Sequence, residues 1–362
     1  MAEIVVVVGT RPEIIKMAPV MKALDDMGLE YRFIHTGQHY DYNMSRLFIE
    51  QLGLREPDKS FELTSSNPAG QIGEMMIKLE ETLADVKKGV MIIQGDTNTM
   101  LAAGLTAVKL GLRLGHVEAG LRSFDWRMPE EHNRRMIDHV SDYLFAPTRL
   151  SARNLQEEHV WGTILVTGNT VIDAIDLYKD RVVEVEDSVV EMAGFTEYAL
   201  VTFHRRENVD DPKTLRDLVR VVLESPIPVV FPVHPRTRAR LAEQGLLDRL
   251  VEARHVRILE PLGYFEFLAL MRNAKVILTD SGGVQEEATH PMIRRPVLIL
   301  RTSTERPEAI RAGFARLVGT TPLVVLSALE QLLEDPPRLP EKSPFGDGKA
   351  GVRIASFIAD NL

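Results

Sequence analysis

The segment of this sequence that most clearly indicates a ligand is Lys275–Glu287, KVILTDSGGVQEE, which reads as a buried strand that turns directly into a helix. The first backbone N–H groups of a helix have no intrahelical partners, and glycine lets an anionic group approach them closely. We therefore expect the backbone at Ser281, Gly282 and Gly283 to bind phosphate. Glu287 lies further along the same helix, where its carboxylate could accept hydrogen bonds from a vicinal diol. Phosphate and ribose together indicate a nucleotide, whereas the alternative is an ordinary turn with a capping serine.

Acidic side chains also follow predicted strands. Asp96 and Glu118 come after two successive strands in the first half of the chain, and Glu130 and Glu131 follow soon afterwards. A carboxylate directly after an apolar strand is costly to bury without a partner, so its recurrence at strand ends indicates a functional site. His204 ends the first strand of the second half and is followed by two arginines. The alternative for each acid is a helix cap or a first-turn charge, and the alternative for the histidine is a hydrogen-bonded core residue.

Two cations follow the first strand. The segment GTRPE at 9–13 contains Arg11, and Lys16 lies one turn into the next helix. This segment matches neither GxGxxG nor a P-loop, so it supports neither a dinucleotide site nor a Walker-type phosphate site. Ligands of open α/β sheets bind at the carboxyl ends of the strands, and two cations there suit a diphosphate. A solvated Arg and Lys beside a turn are the alternative.

The segments that must position these residues alternate between short β-branched runs and amphipathic helices. This alternation is typical of parallel sheets covered on both faces, and it predicts two doubly wound α/β domains. The predicted strands of the first half are Ile4–Val8, Tyr31–His35, Val90–Gln94, Leu112–Val117, Tyr143–Ala146 and Ile164–Thr167. Those of the second half are Tyr198–Phe203, Val229–Val233, Val256–Leu259, Val276–Thr279, Val297–Leu300 and Arg316–Val318.

Three stretches divide the chain. We expect an N-terminal Rossmann-like domain over residues 1–180, which carries the acidic residues, and a C-terminal Rossmann-like domain over residues 181–345, which binds the nucleotide. The charged segment Val182–Val190 is the predicted linker. After four prolines between residues 336 and 344, a final helix within residues 346–362 is expected to pack back on the N-terminal domain.

Composition narrows the class of protein. The 362 residues are enough for two domains, and 44% hydrophobic with 26% charged residues is typical of a soluble globular protein. A net charge of -9 argues against nonspecific binding to nucleic acid, which needs a basic face. The sequence contains no cysteine, no secretory signal and no apolar run long enough to span a bilayer. We therefore expect a cytoplasmic protein without membrane insertion, and scattered histidines predict no metal site.

The complete set of motifs resembles that of the non-hydrolysing UDP-N-acetylglucosamine 2-epimerases, a family with the GT-B fold. The similarity covers nearly the whole chain. The motifs that carry it are GTRPE at 9–13, TGQH at 36–39, QGDT at 94–97, HVEAGLRS at 116–123, PEEHNR at 129–134, HRREN at 204–208, TDSGGVQEE at 279–287 and TERPE at 304–308. Each motif alone is weak, but eight in this order are specific. The resemblance implies two Rossmann-like domains with a cleft between them.

The resemblance also implies roles for individual residues. Those that would hold UDP are Arg11, Phe267, Ser281, Gly282, Gly283, Glu287 and Arg306, with Lys16 nearby. Those that would surround the sugar and carry the chemistry are Asp96, Glu118, Glu130 and His204. No cofactor is implied. The expected partner is the UDP-sugar, and we expect the chain to form a homodimer.

The reaction implied by the resemblance is the reversible C2 epimerisation of UDP-N-acetylglucosamine to UDP-N-acetylmannosamine. The C2 hydrogen has no adjacent carbonyl, so a base cannot simply remove it. When UDP leaves C1, an oxocarbenium-like centre makes this hydrogen acidic, and its loss gives a 2-acetamidoglucal. A proton then reaches the opposite face and UDP adds back, while water is excluded. Asp96, Glu118 and Glu130 are the candidate acid/base set, with their faces unassigned, and His204 would stabilise or protonate the leaving diphosphate.

Two segments depart from the family pattern. Gln38-His39 leads into Tyr40–Ser45, where many bacterial members carry Gln-His-Arg and a Met-Leu pair that help to form a second, activating substrate site. The version in this chain resembles relatives that act on UDP-2,3-diacetamido-2,3-dideoxyglucuronate, which is therefore the alternative substrate. The second segment, Thr289–Arg295, stands where family members usually have a shorter turn that contains glycine.

Two other classes of protein would share parts of this pattern. A GT-B glycosyltransferase would have the nucleotide half, but it would need an acceptor and would not need acids on both faces of C2. A noncatalytic sensor would bind UDP-sugar without turnover. Incubation with UDP-N-acetylglucosamine alone distinguishes both classes from an epimerase.

Overall fold

The computed structural model describes residues 3–37 and 48–362, which form two compact units. The first unit comprises Met1–Leu177 and Phe345–Leu362, and the second comprises Tyr178–Pro344. The boundary falls within a continuous helix. The predicted linker, residues 182–190, is helical on both sides of Val185 because it contains no glycine or proline to end a helix. The helix that follows ends instead at Gly194, whose φ is 72°.

The first unit is built on a seven-stranded sheet. Its strands are β1 (Glu3–Val8), β2 (Tyr31–His35), β3 (Lys59–Ser60), β4 (Gly89–Gln94), β5 (Arg113–Val117), β6 (Tyr143–Ala146) and β7 (Thr163–Val166). Neighbouring strands are parallel, and their order is β3-β2-β1-β4-β5-β6-β7. The helices are α1 (Arg11–Asp26), α2 (Pro68–Thr82), α3 (Asn98–Leu110), α4 (Pro129–Val140), α5 (Arg149–Glu157) and α6 (Thr170–Glu184), the last of which crosses the boundary.

The second unit repeats this scheme with six strands. They are β8 (Ala199–Thr202), β9 (Val229–Pro232), β10 (Val256–Leu259), β11 (Val276–Thr279), β12 (Val297–Ile299) and β13 (Ala315–Leu317). The order is β10-β9-β8-β11-β12-β13, and all pairs are parallel. The helices are α7 (Glu186–Ala193), α8 (Arg206–Val209), α9 (Pro212–Leu223), α10 (Pro235–Glu243), α11 (Leu247–Glu252), α12 (Tyr264–Asn273), α13 (Gly282–Glu287), α14 (Pro307–Arg311) and α15 (Pro322–Glu334).

The predicted α/β class with two parallel, doubly wound sheets is confirmed, and each predicted strand lies within one residue of its predicted ends. The central strands are apolar throughout because helices cover both faces of each sheet. In β1, for example, Val5, Val6, Val7 and Val8 are fully buried. Strand β3 was not predicted, since two polar residues show no periodicity. No helix within residues 3–37 or 48–362 has the length and apolar character needed to span a membrane.

The order of strands reverses once in each sheet, and this determines where polar loops gather. In the first sheet β1 lies between β2 and β4, and in the second β8 lies between β9 and β11. Ligands of open α/β sheets bind outside the carboxyl ends of the strands at such a reversal. The segments that follow β1 and β4, and those that follow β8 and β11, are therefore the places where a site is expected.

The chain returns to the first unit through its last helix, α16 (Ala350–Asp360). This helix packs on α1 so closely that a Cβ atom on Gly351 would lie 2.6 Å from the carbonyl oxygen of Pro19. The Gly351 N–H also donates to Asp173 Oδ1 at 2.7 Å. Glycine is thus needed at the first turn of α16 for close contact of two backbones.

Two glycines with the same backbone conformation provide a matched test of packing in the first unit. Gly111 and Gly120 have φ of 70° and 82°. A Cβ atom on Gly120 would lie 2.3 Å from Ser151 O and 2.8 Å from Leu155 Cγ, whereas one on Gly111 would meet nothing within 4 Å. We expect Gly111→Ala to cost about 1–2 kcal/mol for the left-handed conformation. Gly120→Ala should cost about 1–3 kcal/mol more, because it also overpacks the core. Urea unfolding of both variants measures this difference, and equal losses would contradict it.

Candidate functional site

Glu118 stands at the end of β5 in an unusual backbone conformation. Its φ is 71°, in the left-handed region that residues other than glycine rarely adopt. The carboxylate is buried, forms an ion pair with Lys16 and accepts a hydrogen bond from Gln94 Nε2 at 2.8 Å. Lys16 is therefore a buried counter-ion, and the alternative of a solvated lysine is wrong. The left-handed turn directs the acid toward the segments that follow β1 and β4.

Asp96 follows β4 and is held by one arginine of α4. Its Oδ2 accepts hydrogen bonds from Arg134 Nη2 at 2.5 Å and from Arg134 Nε at 3.1 Å. The Asp96 carbonyl accepts a further hydrogen bond from Asn133 Nδ2 at 3.0 Å. About a quarter of the Asp96 side chain stays exposed, at 27%. The acid is thus oriented by a buried cation but keeps access to solvent or ligand.

Helix α4 separates its two neighbouring glutamates because successive helical residues point about 100° apart. Glu131 is fully buried and accepts hydrogen bonds from Ser123 N, Ser123 Oγ and Arg134 Nη1 at 2.9, 2.9 and 2.7 Å. Glu130 is half-buried and makes no hydrogen bond or ion pair with the residues that the structure describes. Glu131 is therefore a structural anchor of α4, and Glu130 remains a candidate for chemistry.

A chain of ion pairs that ends in a hydrogen-bonded histidine connects Asp96 with the end of β5. In order, its members are Asp96, Arg134, Glu131, Arg135, Glu158, Arg122, Asp138 and His116, joined at 2.5 to 3.2 Å. Burial raises the pKa of Asp138, but the hydrogen bond from His116 and the charge of Arg122 more than offset this and hold that pKa below its usual value. These pairs fix α4 against β4 and β5, and so fix the position of Asp96.

Glu13 is a buried acid that sequence reasoning passed over. Its Oε2 accepts hydrogen bonds from Gly9 N at 2.6 Å and Thr10 N at 2.8 Å, and its Oε1 accepts one from Thr97 Oγ1 at 2.5 Å. Glu13 thereby ties the segment after β1 to the segment after β4. Burial raises the pKa of Glu13 to about 7, although these hydrogen bonds lower it. The sequence could have indicated this role, because Thr10 and Glu13 have the spacing of a capping box.

Arg11 is the first residue of α1 and lies half-buried beside the same segment. Its guanidinium carbon is 5.9 Å from the centre of the Phe48 ring, at the outer limit of a cation–π contact. The first unit carries five of the residues singled out in the sequence, all on or next to segments that follow its strands. They are Arg11, Lys16, Asp96, Glu118 and Glu130, of which Lys16 and Glu118 are in direct contact.

In the second unit, the equivalent reversal is organised by Asp280, a second acid that sequence reasoning passed over. Asp280 follows β11, is fully buried and accepts hydrogen bonds from the backbone of His204 and Arg205 after β8. The sequence did indicate Asp280, because it is one more carboxylate directly after an apolar strand. The ring of His204 lies beside it and keeps 36% of its side-chain surface exposed.

The glycine pair lies at the start of α13, as the sequence predicts. Ser281 is the N-cap residue in an extended conformation, with φ of -79° and ψ of 128°, and its side chain makes no capping hydrogen bond. A Cβ atom on Gly282 would lie 2.9 Å from the guanidinium of Arg306, whereas one on Gly283 would meet only Ser281 Oγ at 4.0 Å. Gly282 therefore allows Arg306 to pack on the backbone, and Gly283 leaves the N-terminus of α13 open.

Arg306 lies in a buried group of charges. Its Nε donates to Glu286 Oε1 at 2.8 Å, and its Nη1 pairs with Glu305 Oε1 at 2.7 Å. Glu305 also pairs with Arg301 at 2.9 Å and with Arg205 at 3.4 Å. Arg306, the residue expected to bind phosphate, thus already pairs with two carboxylates, and these contacts fix its position against Gly282.

Glu287 and Phe267 lie on α13 and α12, respectively. Glu287 is 9% exposed, and Phe267 is half-buried. Burial raises the pKa of Tyr264, and the negative charge of nearby Glu287 raises it further. Among residues 3–37 and 48–362, no group of three or more His, Cys, Asp and Glu side chains is arranged to hold a metal ion.

The departures from the family pattern have different outcomes. Residues 38–45, which lack the family residues of the second, activating substrate site and which suggested the alternative substrate, lie outside the described residues. The turn at Thr289–Arg295 is described, and Arg294 in it has a φ of 50°. The Arg294 N–H donates to His290 O at 2.8 Å, and its guanidinium donates to Leu339 O at 2.8 Å. The side chain thus stabilises a left-handed position that otherwise favours glycine.

Comparison with known proteins gives full-length matches. A family model described as UDP-N-acetylglucosamine 2-epimerase matches residues 22–359. A UDP-N-acetylglucosamine 2-epimerase of Methanocaldococcus jannaschii is 42% identical over 362 residues, which cover 98% of each chain. A UDP-2,3-diacetamido-2,3-dideoxy-D-glucuronate 2-epimerase of Pseudomonas aeruginosa is 37% identical over 368 residues, which cover 99% of each chain.

Solved structures show the same similarity. The crystal structure of the Methanocaldococcus jannaschii UDP-GlcNAc 2-epimerase in complex with UDP-GlcNAc and UDP matches with a TM-score of 0.90 and 41% identity, over 99% of each chain. The UDP-GlcNAc 2-epimerase of Neisseria meningitidis bound to UDP-GlcNAc matches with a TM-score of 0.88 and 32% identity, over 99% of this chain and 100% of that one. The expected GT-B type of fold is thereby confirmed.

Proposed function

The chain belongs to the UDP-N-acetylglucosamine 2-epimerase family, and on this premise we propose that it is an isomerase that interconverts UDP-N-acetylglucosamine and UDP-N-acetylmannosamine. The observation that carries the proposal is the presence of two cation-paired acids, Asp96 and Glu118, at the reversal of the first sheet. A protein that only bound a sugar nucleotide would not need acids oriented by Lys16 and Arg134 at this edge of the sheet. Proton transfer at a carbon centre needs a positioned acid or base, and carboxylates can serve as either.

The proposed reaction is an elimination followed by an addition. The C1–O bond to UDP breaks and its electron pair leaves with UDP, while the C2 proton passes to a base and the C–H electrons form the double bond of a 2-acetamidoglucal. A proton then adds to the opposite face of C2, and UDP re-forms the bond to C1. Asp96 and Glu118 are each oriented by a cation, Arg134 and Lys16 respectively, and are candidates to accept or deliver the C2 proton. Glu130, at the start of α4, completes the candidate acid/base set.

Within the second unit, we propose that the N-terminus of α13 holds the phosphates of UDP. Gly282 and Gly283 offer backbone N–H groups there, and Arg306 lies beside them. The Ser281 N–H donates to Thr279 Oγ1 at 3.0 Å, so Ser281 would contribute its hydroxyl group instead. Glu287 would accept hydrogen bonds from the ribose diol, and Phe267 would stack on the base. His204 would stabilise or protonate the leaving diphosphate. No cofactor takes part in this proposal.

The alternative substrate is UDP-2,3-diacetamido-2,3-dideoxyglucuronate. Its support is the Pseudomonas aeruginosa relative, which is named for this sugar and is 37% identical. The higher identity, 42%, is to a relative named for UDP-N-acetylglucosamine. We therefore propose UDP-N-acetylglucosamine as the substrate and use the uronate as the comparison.

Incubation with UDP-N-acetylglucosamine alone in deuterium oxide tests the proposed function. We expect NMR to show UDP-N-acetylmannosamine that carries solvent deuterium at C2, because the proton is removed and replaced. A parallel incubation with the 2,3-diacetamido uronate should be slower. Absence of any product without an acceptor would favour a glycosyltransferase, and UDP-sugar binding without turnover would favour a sensor. Product without deuterium at C2 would contradict the elimination.

A further inference from the structure

The reversal of the second sheet is held together by one carboxylate. Both oxygens of Asp280 lie 3.1 Å from the backbone nitrogen of His204, and Oδ2 accepts hydrogen bonds from Arg205 N and Asn208 Nδ2 at 2.9 Å each. Asn208 Nδ2 also donates to Leu300 O at 3.0 Å. Asp280 is completely buried. The segment that carries His204 is therefore fixed to the end of β11 by three donors that converge on one side chain.

The ring of His204 is confined as well as its backbone. Its Nδ1 lies 3.6 Å from Asp280 Oδ1, and its face stacks on His234 with ring centres 5.2 Å apart and 29° between planes. His234 Nδ1 accepts a hydrogen bond from Arg236 N at 3.2 Å, so the neutral His234 ring carries its proton on Nε2. Because the two nitrogens of an imidazole lie on opposite edges, directing Nδ1 of His204 to Asp280 turns its Nε2 away from the carboxylate.

We propose that Asp280 is a positioning residue for His204: its buried carboxylate attracts the Nδ1 edge of the ring, 3.6 Å away, and leaves Nε2 to face the leaving diphosphate. The part concerning the diphosphate rests on the proposed function. The part concerning the ring does not, because it follows from the contacts of Asp280 alone. An acid that orients a histidine through one nitrogen determines which nitrogen remains for the ligand.

The charges around His204 agree with this geometry. The pKa of His204 is lowered overall, and burial is the largest cause. The negative charges of Asp280 and Glu207 raise it, whereas the positive charges of Arg205 and Arg236 lower it. Among the surrounding charges, Asp280 contributes most to raising the pKa of His204. Removing its charge should lower the pKa of His204, whereas loosening the loop without changing charge should not.

The first experiment uses the unaltered protein. Nitrogen-15 NMR of labelled histidine shows which ring nitrogen carries the proton in the neutral form, and His204 is identified by the signals lost in His204→Gln. We expect neutral His204 to carry its proton on Nδ1, facing Asp280. A proton on Nε2 would overturn the proposal, whatever reaction the protein catalyses.

The second experiment compares two variants. Asp280→Asn removes the charge, and the matched control Asn208→Ala removes a tie to Asp280 and Leu300 without a charge change. We expect Asp280→Asn to lower the pKa of His204 in the NMR titration and to lower kcat by about 10–100-fold, with UDP affinity little changed. Asn208→Ala should leave the titration unchanged. Asp280→Glu keeps a carboxylate and should retain a higher kcat than Asp280→Asn. If Asp280→Asn does not fold, the kcat and the His204 titration of Asp280→Glu are measured instead.

The outcomes separate this proposal from the proposed function. Equal shifts in the His204 titration for Asp280→Asn and Asn208→Ala would reduce Asp280 to a structural tie and overturn the proposal. An altered titration in Asp280→Asn, with native kcat in both Asp280→Asn and His204→Gln, would support the positioning of the ring but overturn its link to the diphosphate. Loss of turnover in His204→Gln with native UDP binding would support that link.

Discussion

Replacing Glu118 by Gln is expected to lower turnover by about 10²–10⁴-fold, the usual loss when a positioned proton-transfer group is removed. Gln keeps the size of the side chain but cannot accept a proton beside Lys16. Asp96→Asn and Glu130→Gln should lower turnover in the same range. UDP affinity should fall far less in all three, because the phosphate ligands proposed at α13 are unchanged. Steady-state kinetics and calorimetric titration with UDP measure the two quantities.

Two controls sharpen this comparison. Glu81→Gln makes the same chemical change at an exposed position of α2 and should keep native turnover. Glu287→Ala should show the reverse pattern, with weaker UDP binding and a smaller loss of turnover at saturation. Because Glu118→Gln leaves Lys16 without its carboxylate, circular dichroism should confirm that the fold is kept. Near-native turnover in all three acid variants would show that the chemistry lies elsewhere.

Replacing Glu13 by Gln is expected to change how stability depends on pH. The pKa of Glu13 is raised from 4.5 to about 7 by burial, so the folded protein holds a proton there that the unfolded chain releases. The stabilisation is complete below pH 4.5 and is lost as the pH rises through 7. A shift of this size corresponds to about 3 kcal/mol. Gln can accept from the two backbone N–H groups and donate to Thr97, as the protonated acid does.

We therefore expect Glu13→Gln to match the wild type near pH 5 and to exceed its stability by up to about 3 kcal/mol near pH 8. Urea-unfolding midpoints across this range, followed by a probe in the first unit, measure the difference. Thr97→Val provides the matched control: it removes a hydrogen bond that stabilises the ionised form and should make the wild-type decline steeper. Parallel pH profiles for the wild type and Glu13→Gln would contradict the raised pKa.

The amino-acid pattern was enough to predict most of the strands and much of the list of candidate residues. Strands β2, β6, β10 and β11 have the predicted bounds because fully buried parallel strands are continuous apolar runs flanked by polar or glycine-containing turns. The family was also visible, since eight short motifs occur in order along the chain. Asp96, Glu118 and His204 could be singled out because charge at the end of an apolar strand is costly without a purpose.

The partners of those residues were decided only by the tertiary structure. Lys16 and Glu118 are 102 positions apart, and His204 and Asp280 are 76 apart, so no local spacing could pair them. They meet because the strand order places β1 and β5 on either side of β4, and β8 beside β11. The choice of Glu131 as the buried glutamate depends on the rotation of α4 against β4 and β5. Which residues pair and which glutamate is buried depend on packing between segments that are distant in sequence, because burial and charge pairing must be satisfied at the same time.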